Sequence, residues 1–151
     1  LAALVPQIAN KVSVPVIAAG GIADNRGVEA ALLLGASAAQ IGTGYLLCTE
    51  AKTSQLHRTA IQSDQSSHTA LTTVFTGKPA RSIVNRAMKE LGYMDSPAPE
   101  FPYASIEMGQ LRGSAERLGS ADFSPLWCGQ NTSGCQAISA RELTLLLAGK
   151  D

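Results

Sequence analysis

Two glycine-bearing turns supply the residue types that can cradle an anion. The first closes the run Val14-Pro15-Val16-Ile17-Ala18-Ala19 with Gly20-Gly21. The second closes Ala38-Ala39-Gln40-Ile41 with Gly42-Thr43, and Gly42 stands 21 residues after Gly21. Backbone N–H groups approach a phosphate closely only where no Cβ intervenes. Gly20 and Gly21 would form one edge of such a cradle. Gly42, Thr43 and the start of the following helix would form the other. Thr43 adds a hydroxyl donor, and Gln40 is placed to turn its amide toward a ligand from the strand end. Glycine also ends strands where nothing binds, so the reading rests on the two turns as a pair. The spacing is not GxGxxG, so the dinucleotide fingerprint is absent.

Other reactive side chains form no comparable set. His57 and His68 belong to no ligand-spaced cluster and read as solvated histidines. Asp24 reads as a helix cap rather than a catalyst. Arg81, Asn85 and Arg86 share a predicted helix face and read as surface or docking groups. Trp127 is the single tryptophan. It reads as a core anchor, with the lining of a planar ligand as the alternative. There are no paired carboxylates, no Ser/His/Asp order and no zinc spacing, so no metal is expected. Cys48, Cys128 and Cys135 lack CxxC spacing and read as free thiols of a reducing cytoplasm.

The elements that must position the two turns follow from periodicity. Residues 14–19 are all apolar and read as a fully buried strand. Asp24 caps a helix carrying Val28, Ala31 and Leu32, with Gly35 as its stop. Residues 37–42 form a second strand. Strand, helix and strand in this compass are a βαβ unit with parallel strands and a right-handed crossover. Before it, Leu1, Leu4, Val5 and Ile8 mark a helical face. After it, a helix is expected from Thr43 through Glu50 toward Ile61, then a polar loop over 62–69. A strand at 72–75 and a helix from Arg81 to Leu91, stopped by Gly92, come next. Pro97, Pro99 and Pro102 make 93–104 irregular. Residues 105–118 read as a helix interrupted by Gly109 and Gly113, and a further short strand is open near 126–128. Ser139 and Glu142 form a capping box for a last helix through Leu147.

Composition bounds the partners. The chain of 151 residues is 45% hydrophobic and 16% charged, as an ordinary folded domain is. Its formal net charge is zero, which removes the general electrostatic case for nucleic acid or an anionic membrane surface. No apolar run approaches the roughly 20 residues of a membrane span. Two parallel strands do not make a sheet covered on both faces. Either the strands at 72–75 and near 126–128 complete a small sheet, or the chain is the C-terminal part of a larger α/β protein; the second is expected, and the start at Leu1, inside a helical pattern, also suggests it.

The segments Val14–Asp24, Ala30-Ala31-Leu32-Leu33-Leu34-Gly35-Ala36 and Gln40-Ile41-Gly42-Thr43 strongly resemble the nitronate monooxygenase family, formerly called 2-nitropropane dioxygenases. The resemblance continues through Phe75-Thr76-Gly77-Lys78-Pro79-Ala80-Arg81, Asn85-Arg86 and Pro125-Leu126-Trp127-Cys128-Gly129-Gln130. It implies an α/β fold, the C-terminal part of an FMN-binding (β/α)8 TIM barrel with a small attached α/β segment. Residues 1–60 would hold the last βαβ units and the FMN-phosphate loops, 61–118 the smaller segment, and 119–151 a stretch returning to the barrel. Carried over position by position, the FMN contacts fall on Gly20, Gly21, Gln40, Ile41, Gly42 and Thr43. The implied reaction is oxidation of an alkyl nitronate or nitroalkane by O2, in a cytoplasmic flavoprotein whose oligomeric state is left open. The family's catalytic histidine lies in a glycine-rich motif upstream of these strands, so neither His57 nor His68 takes that role. Cys128 stands where many relatives carry alanine. An FMN-dependent enoyl-acyl-carrier-protein reductase is the alternative enzyme. An inactive chain with only phosphate-binding capacity is the alternative for these residues alone.

Overall fold

The computed structural model describes residues 1–94 and 98–150, so Pro97 lies outside the described residues. The chain divides into two compact units, Leu1–Lys52 with Gln130–Asp151, and Thr53–Gly129. Among the described residues no helix is long and apolar enough to cross a membrane.

In the first unit, α1 (Leu4–Ala9) precedes β1 (Ile17–Ala19), α2 (Asn25–Leu33) and β2 (Ala38–Gln40). Pro6 lies in the first turn of α1, where its missing N–H leaves no helical bond unmade. Strands β1 and β2 pair in parallel, with Ile17, Ala18 and Ala19 opposite Ala38, Ala39 and Gln40. The βαβ unit expected from the sequence is therefore present. Asp24 caps α2 by accepting the Gly27 N–H at 2.9 Å. Gly35 follows the helix in the left-handed region, φ +100°. Val5, Ala18, Ile22, Ala31 and Ala36 form a small core beside this sheet.

The strands are shorter and less covered than expected. β1 spans three residues rather than 14–19, and β2 three rather than 37–42. Val14 is 66% exposed and Ile17 60%. Apolarity marks a residue fit for burial, but among the described residues β1 pairs with β2 alone.

The helix expected from Thr43 toward Ile61 is two pieces. A 3-10 helix covers Thr43–Leu47, and α3 (Gln55–Gln62) starts separately in the second unit. Ser54 begins α3 by accepting the His57 N–H at 3.3 Å, a local cap that starts a separate helix here. The last helix, α6 (Ala140–Leu147), belongs to the first unit. Ser139 Oγ accepts the Glu142 N–H at 3.1 Å, which is the Ser139 half of the expected capping box. The Glu50 carboxylate adds a second cap, accepting the Ala140 N–H at 2.9 and 3.1 Å. Leu143 and Leu147 of α6 pack with Cys48.

In the second unit, β3 (Thr69–Thr72) and β4 (Ala80–Ile83) pair antiparallel, followed by α4 (Arg86–Leu91) and α5 (Ala104–Arg117). Three expectations change here. The strand lies at 69–72 instead of 72–75. Residues 80–83 are strand, and the helix begins only at Arg86. Gly109 and Gly113 sit inside a continuous α5. Asn85 explains the late helix start, because its side chain caps α4 by accepting the Met88 N–H. The segment expected near 126–128 does run along β4: Ile83 N–H donates to Leu126 and Cys128 N–H to Arg81, at 2.9 and 3.1 Å. Val74, Phe75, Ala87 and Met88 are the core of this unit. Trp127 packs edge-on against Phe75, with centroids 5.6 Å apart at 88°.

Candidate functional site

The register of the parallel pair puts the two glycine turns side by side. Ala19 faces Gln40, so Gly20 and Ile41 leave the same end of neighbouring strands. Gly20 and Gly21 both occupy the left-handed region, at φ +119° and +72°. A side chain there would strain the backbone. A Cβ built on Gly20, Gly21 or Gly42 meets nothing within 4 Å, so each stands at open space rather than at a packing contact. These glycines are thus not small because a neighbour crowds them. That fits a backbone surface kept clear for a ligand.

The remaining positions follow from this frame. Gln40 ends β2 and is exposed; Ile41 is half-buried and packs against the core of the unit. Gly42 precedes the 3-10 helix, and Thr43 is its first residue. The expected helix N-terminus is therefore one short 3-10 piece. The aligned dipole of so short a piece is small.

Residues 131–135 also reach both turns, which sequence reasoning did not foresee. Asn131 Nδ2 donates to the Gly21 carbonyl at 3.3 Å. The Cys135 thiol donates to the Thr43 carbonyl at 3.2 Å. Between them, Gly134 packs so closely on the Ala23 backbone that a Cβ there would overlap the Ala23 carbonyl. In the sequence these positions are an unpatterned polar run, Gln130-Asn131-Thr132-Ser133.

The other flagged side chains have structural roles. The Asp24 carboxyl lies below its ordinary range, held first by the Arg26 guanidinium and then by the Gly27 N–H. His68 is exposed, as expected, but His57 is not a solvated histidine. Its ring sits half-buried against the Trp127 backbone, and Nε2 is buried with no hydrogen-bond partner among the described residues. Burial lowers its pKa, the Trp127 carbonyl opposes that, and the Arg112 charge lowers it further. Arg81 lies on β4, not on a helix, and donates to Thr69. Asn85 donates through Nδ2 to Ala121 and Ser124 at 3.1 and 2.9 Å, so it is a buried cap and brace. Cys48 and Cys128 are buried and Cys135 is half-buried, and burial pushes the Cys128 thiol up.

The sequence model of the nitronate monooxygenase family matches residues 1–148. The chain belongs to the nitronate monooxygenase family. It is 41% identical over 152 residues to a probable nitronate monooxygenase of Bacillus subtilis strain 168, covering 100% of this chain and 44% of that protein. A probable nitronate monooxygenase of Staphylococcus saprophyticus is 39% identical over 137 residues, covering 91% of this chain and 39% of that protein. Among solved structures, nitroalkane oxidase from Streptomyces ansochromogenes superposes with a TM-score of 0.89 at 35% identity, over 99% of this chain and 43% of that one. FabK from Thermotoga maritima superposes at 0.73 and 29%, over 98% of this chain and 47% of that one. The chain thus spans less than half the length of these relatives. The α/β class, read as the C-terminal part of a TIM barrel, agrees with these matches.

Proposed function

We propose that this chain carries the phosphate end of an FMN site in an enzyme that oxidises alkyl nitronates or nitroalkanes with O2. The observation that carries the reading is the pair of open glycine turns at one end of β1 and β2. Family membership and the likeness to nitroalkane oxidase support the reaction class. Gly20, Gly21, Gly42 and Thr43 would bind the phosphate through backbone N–H groups, with the Thr43 hydroxyl as a further donor. Gln40 and Ile41 would shape the strand end beneath it. Bound there, FMN would supply the redox chemistry of nitronate oxidation. These residues anchor the cofactor tail and so fix where its ring lies. Residues 1–60 would be the cofactor-holding part, 61–118 the attached segment and 119–151 the returning stretch.

The test uses a polypeptide of the relatives' length that carries this sequence. It is expected to purify yellow and to consume O2 when given an alkyl nitronate. A colourless protein that gains no flavin on reconstitution would overturn the reading. The 151-residue chain alone is expected to show no turnover, and measured nitronate oxidation by it would contradict that. Enoyl-acyl-carrier-protein reductase chemistry at the same turns is the second reading. The lower likeness to FabK than to nitroalkane oxidase disfavours it. Enoyl-thioester-dependent NADH oxidation without nitronate turnover would reverse that order.

A further inference from the structure

Residues 131–135 form a strap that touches both glycine turns of the first unit. Resting on the FMN reading above, we propose that this strap is a positioning element for the cofactor phosphate, acting through Asn131 on Gly21 and through Cys135 on Thr43.

The hydrogen bonds aim these two side chains. Asn131 Oδ1 accepts the Ser133 N–H at 3.0 Å and the Ser133 hydroxyl at 2.7 Å. With that oxygen engaged, the amide can only present Nδ2 to the Gly21 carbonyl. The Cys135 N–H donates to Thr132 at 3.0 Å, which closes the strap into a turn and sets the thiol over Thr43. Gly134 lets the strap lie this close, since any Cβ would run into the Ala23 carbonyl.

What the strap fixes is the orientation of two peptide planes. In a trans peptide the C=O and the N–H of the next residue point in opposite directions. Holding the Gly21 carbonyl on Asn131 turns the Ile22 N–H away from the strap. Holding the Thr43 carbonyl on Cys135 does the same for the Gly44 N–H. Gly21 is the position where such a restraint matters most, because glycine explores more backbone conformations than any other residue. Neither Asn131 nor Cys135 need touch the ligand. Both would act through the peptides that follow Gly21 and Thr43, which directly flank the N–H groups assigned to the phosphate.

The experiment compares FMN with riboflavin, which lacks the phosphate, by flavin-fluorescence titration of a relatives-length protein carrying this sequence. The variants are Asn131→Ala, Cys135→Ala and the conservative Cys135→Ser, each with its thermal midpoint. The alanine variants are expected to weaken FMN binding about five- to tenfold while changing riboflavin binding less than about twofold. Cys135→Ser, which keeps a donor, is expected to retain FMN affinity within about twofold. If Asn131→Ala does not fold, Cys135→Ala and Cys135→Ser decide alone. Equal losses for both flavins, or no loss at all, would overturn the strap and leave the FMN reading standing. A parent protein that binds neither flavin, or binds the two equally, would overturn the FMN reading and the strap with it.

Discussion

At Gly20, Gly21 and Gly42 the first unit presents bare backbone, whereas at Asn85 the second unit engages a polar side chain at both ends of its amide. At the glycine turns an added Cβ meets nothing, and β1 beneath them keeps Ile17 largely exposed. At Asn85 both the amide N and the amide O are engaged, and neighbouring Ser82, Ile83, Ala87 and Met88 are fully buried. Ser82 Oγ accepts the Leu126 N–H and donates to Ile83, so its hydroxyl is satisfied as well. Both regions were marked by polar or special residues in the sequence. One of them uses those residues to close a core, and the other keeps its backbone accessible. An unusual residue is therefore informative about ligands only once its surroundings are known.

Substitutions in the two regions should separate stability from binding. The largest effect is expected at Asn85. Asn85→Ala removes a helix cap and the amide donor to the Ser124 carbonyl, while the Ala121 carbonyl keeps the Ser124 N–H, at a cost of about 3 kcal/mol read from chemical denaturation. A loss under about 1 kcal/mol would mean that water replaces the amide and that the contrast is overstated. Gly42→Val should do the opposite. Its φ of −107° is open to a β-branched residue, and its Cβ meets nothing, so stability should change by less than about 0.5 kcal/mol. FMN affinity in a relatives-length protein should nevertheless fall by at least about tenfold, because the side chain blocks the approach of the phosphate. Unchanged affinity in a titration would remove Gly42 from the site.

The smallest effect concerns His57, which resembles neither region: it is half-buried, with one ring nitrogen unpartnered. Its folded pKa lies below the ordinary 6.5, mainly through burial. The unfolded chain therefore binds the proton more readily. The contribution of His57 to stability is full above about pH 6.5 and is lost as pH falls through the lowered folded value. His57→Gln should flatten the fall in unfolding free energy between about pH 8 and about pH 5. An identical pH profile in the variant would show that the ring is not desolvated.

The parts of this molecule that were legible in the sequence are those with local causes. Asp24, Gly35 and the pair Ser139–Glu142 act within one helical turn, and each does what its position suggests. The two apolar runs with a helix between them give a parallel pair by the same logic. Misreadings arose where a competing local contact or a distant partner decided the outcome. Ser54 and Asn85 start helices later than periodicity alone implies. The ladder to β3 and the bonds from 126 and 128 make strand of residues 80–83, which read as helix. The candidate site shows the same division. Its glycines were visible because their type is special, but Asn131 and Cys135 reach it from 110 and 92 residues away. Nothing in an unpatterned polar run signals contacts of that separation.

The central claim is that the two glycine turns grip the phosphate of FMN. A crystal structure of a relatives-length protein carrying this sequence, grown with FMN, tests it most directly. The account predicts phosphate oxygens within about 3.2 Å of backbone nitrogens in both the 20–21 and the 42–43 turns. A phosphate held elsewhere, with these turns facing only solvent, would contradict it.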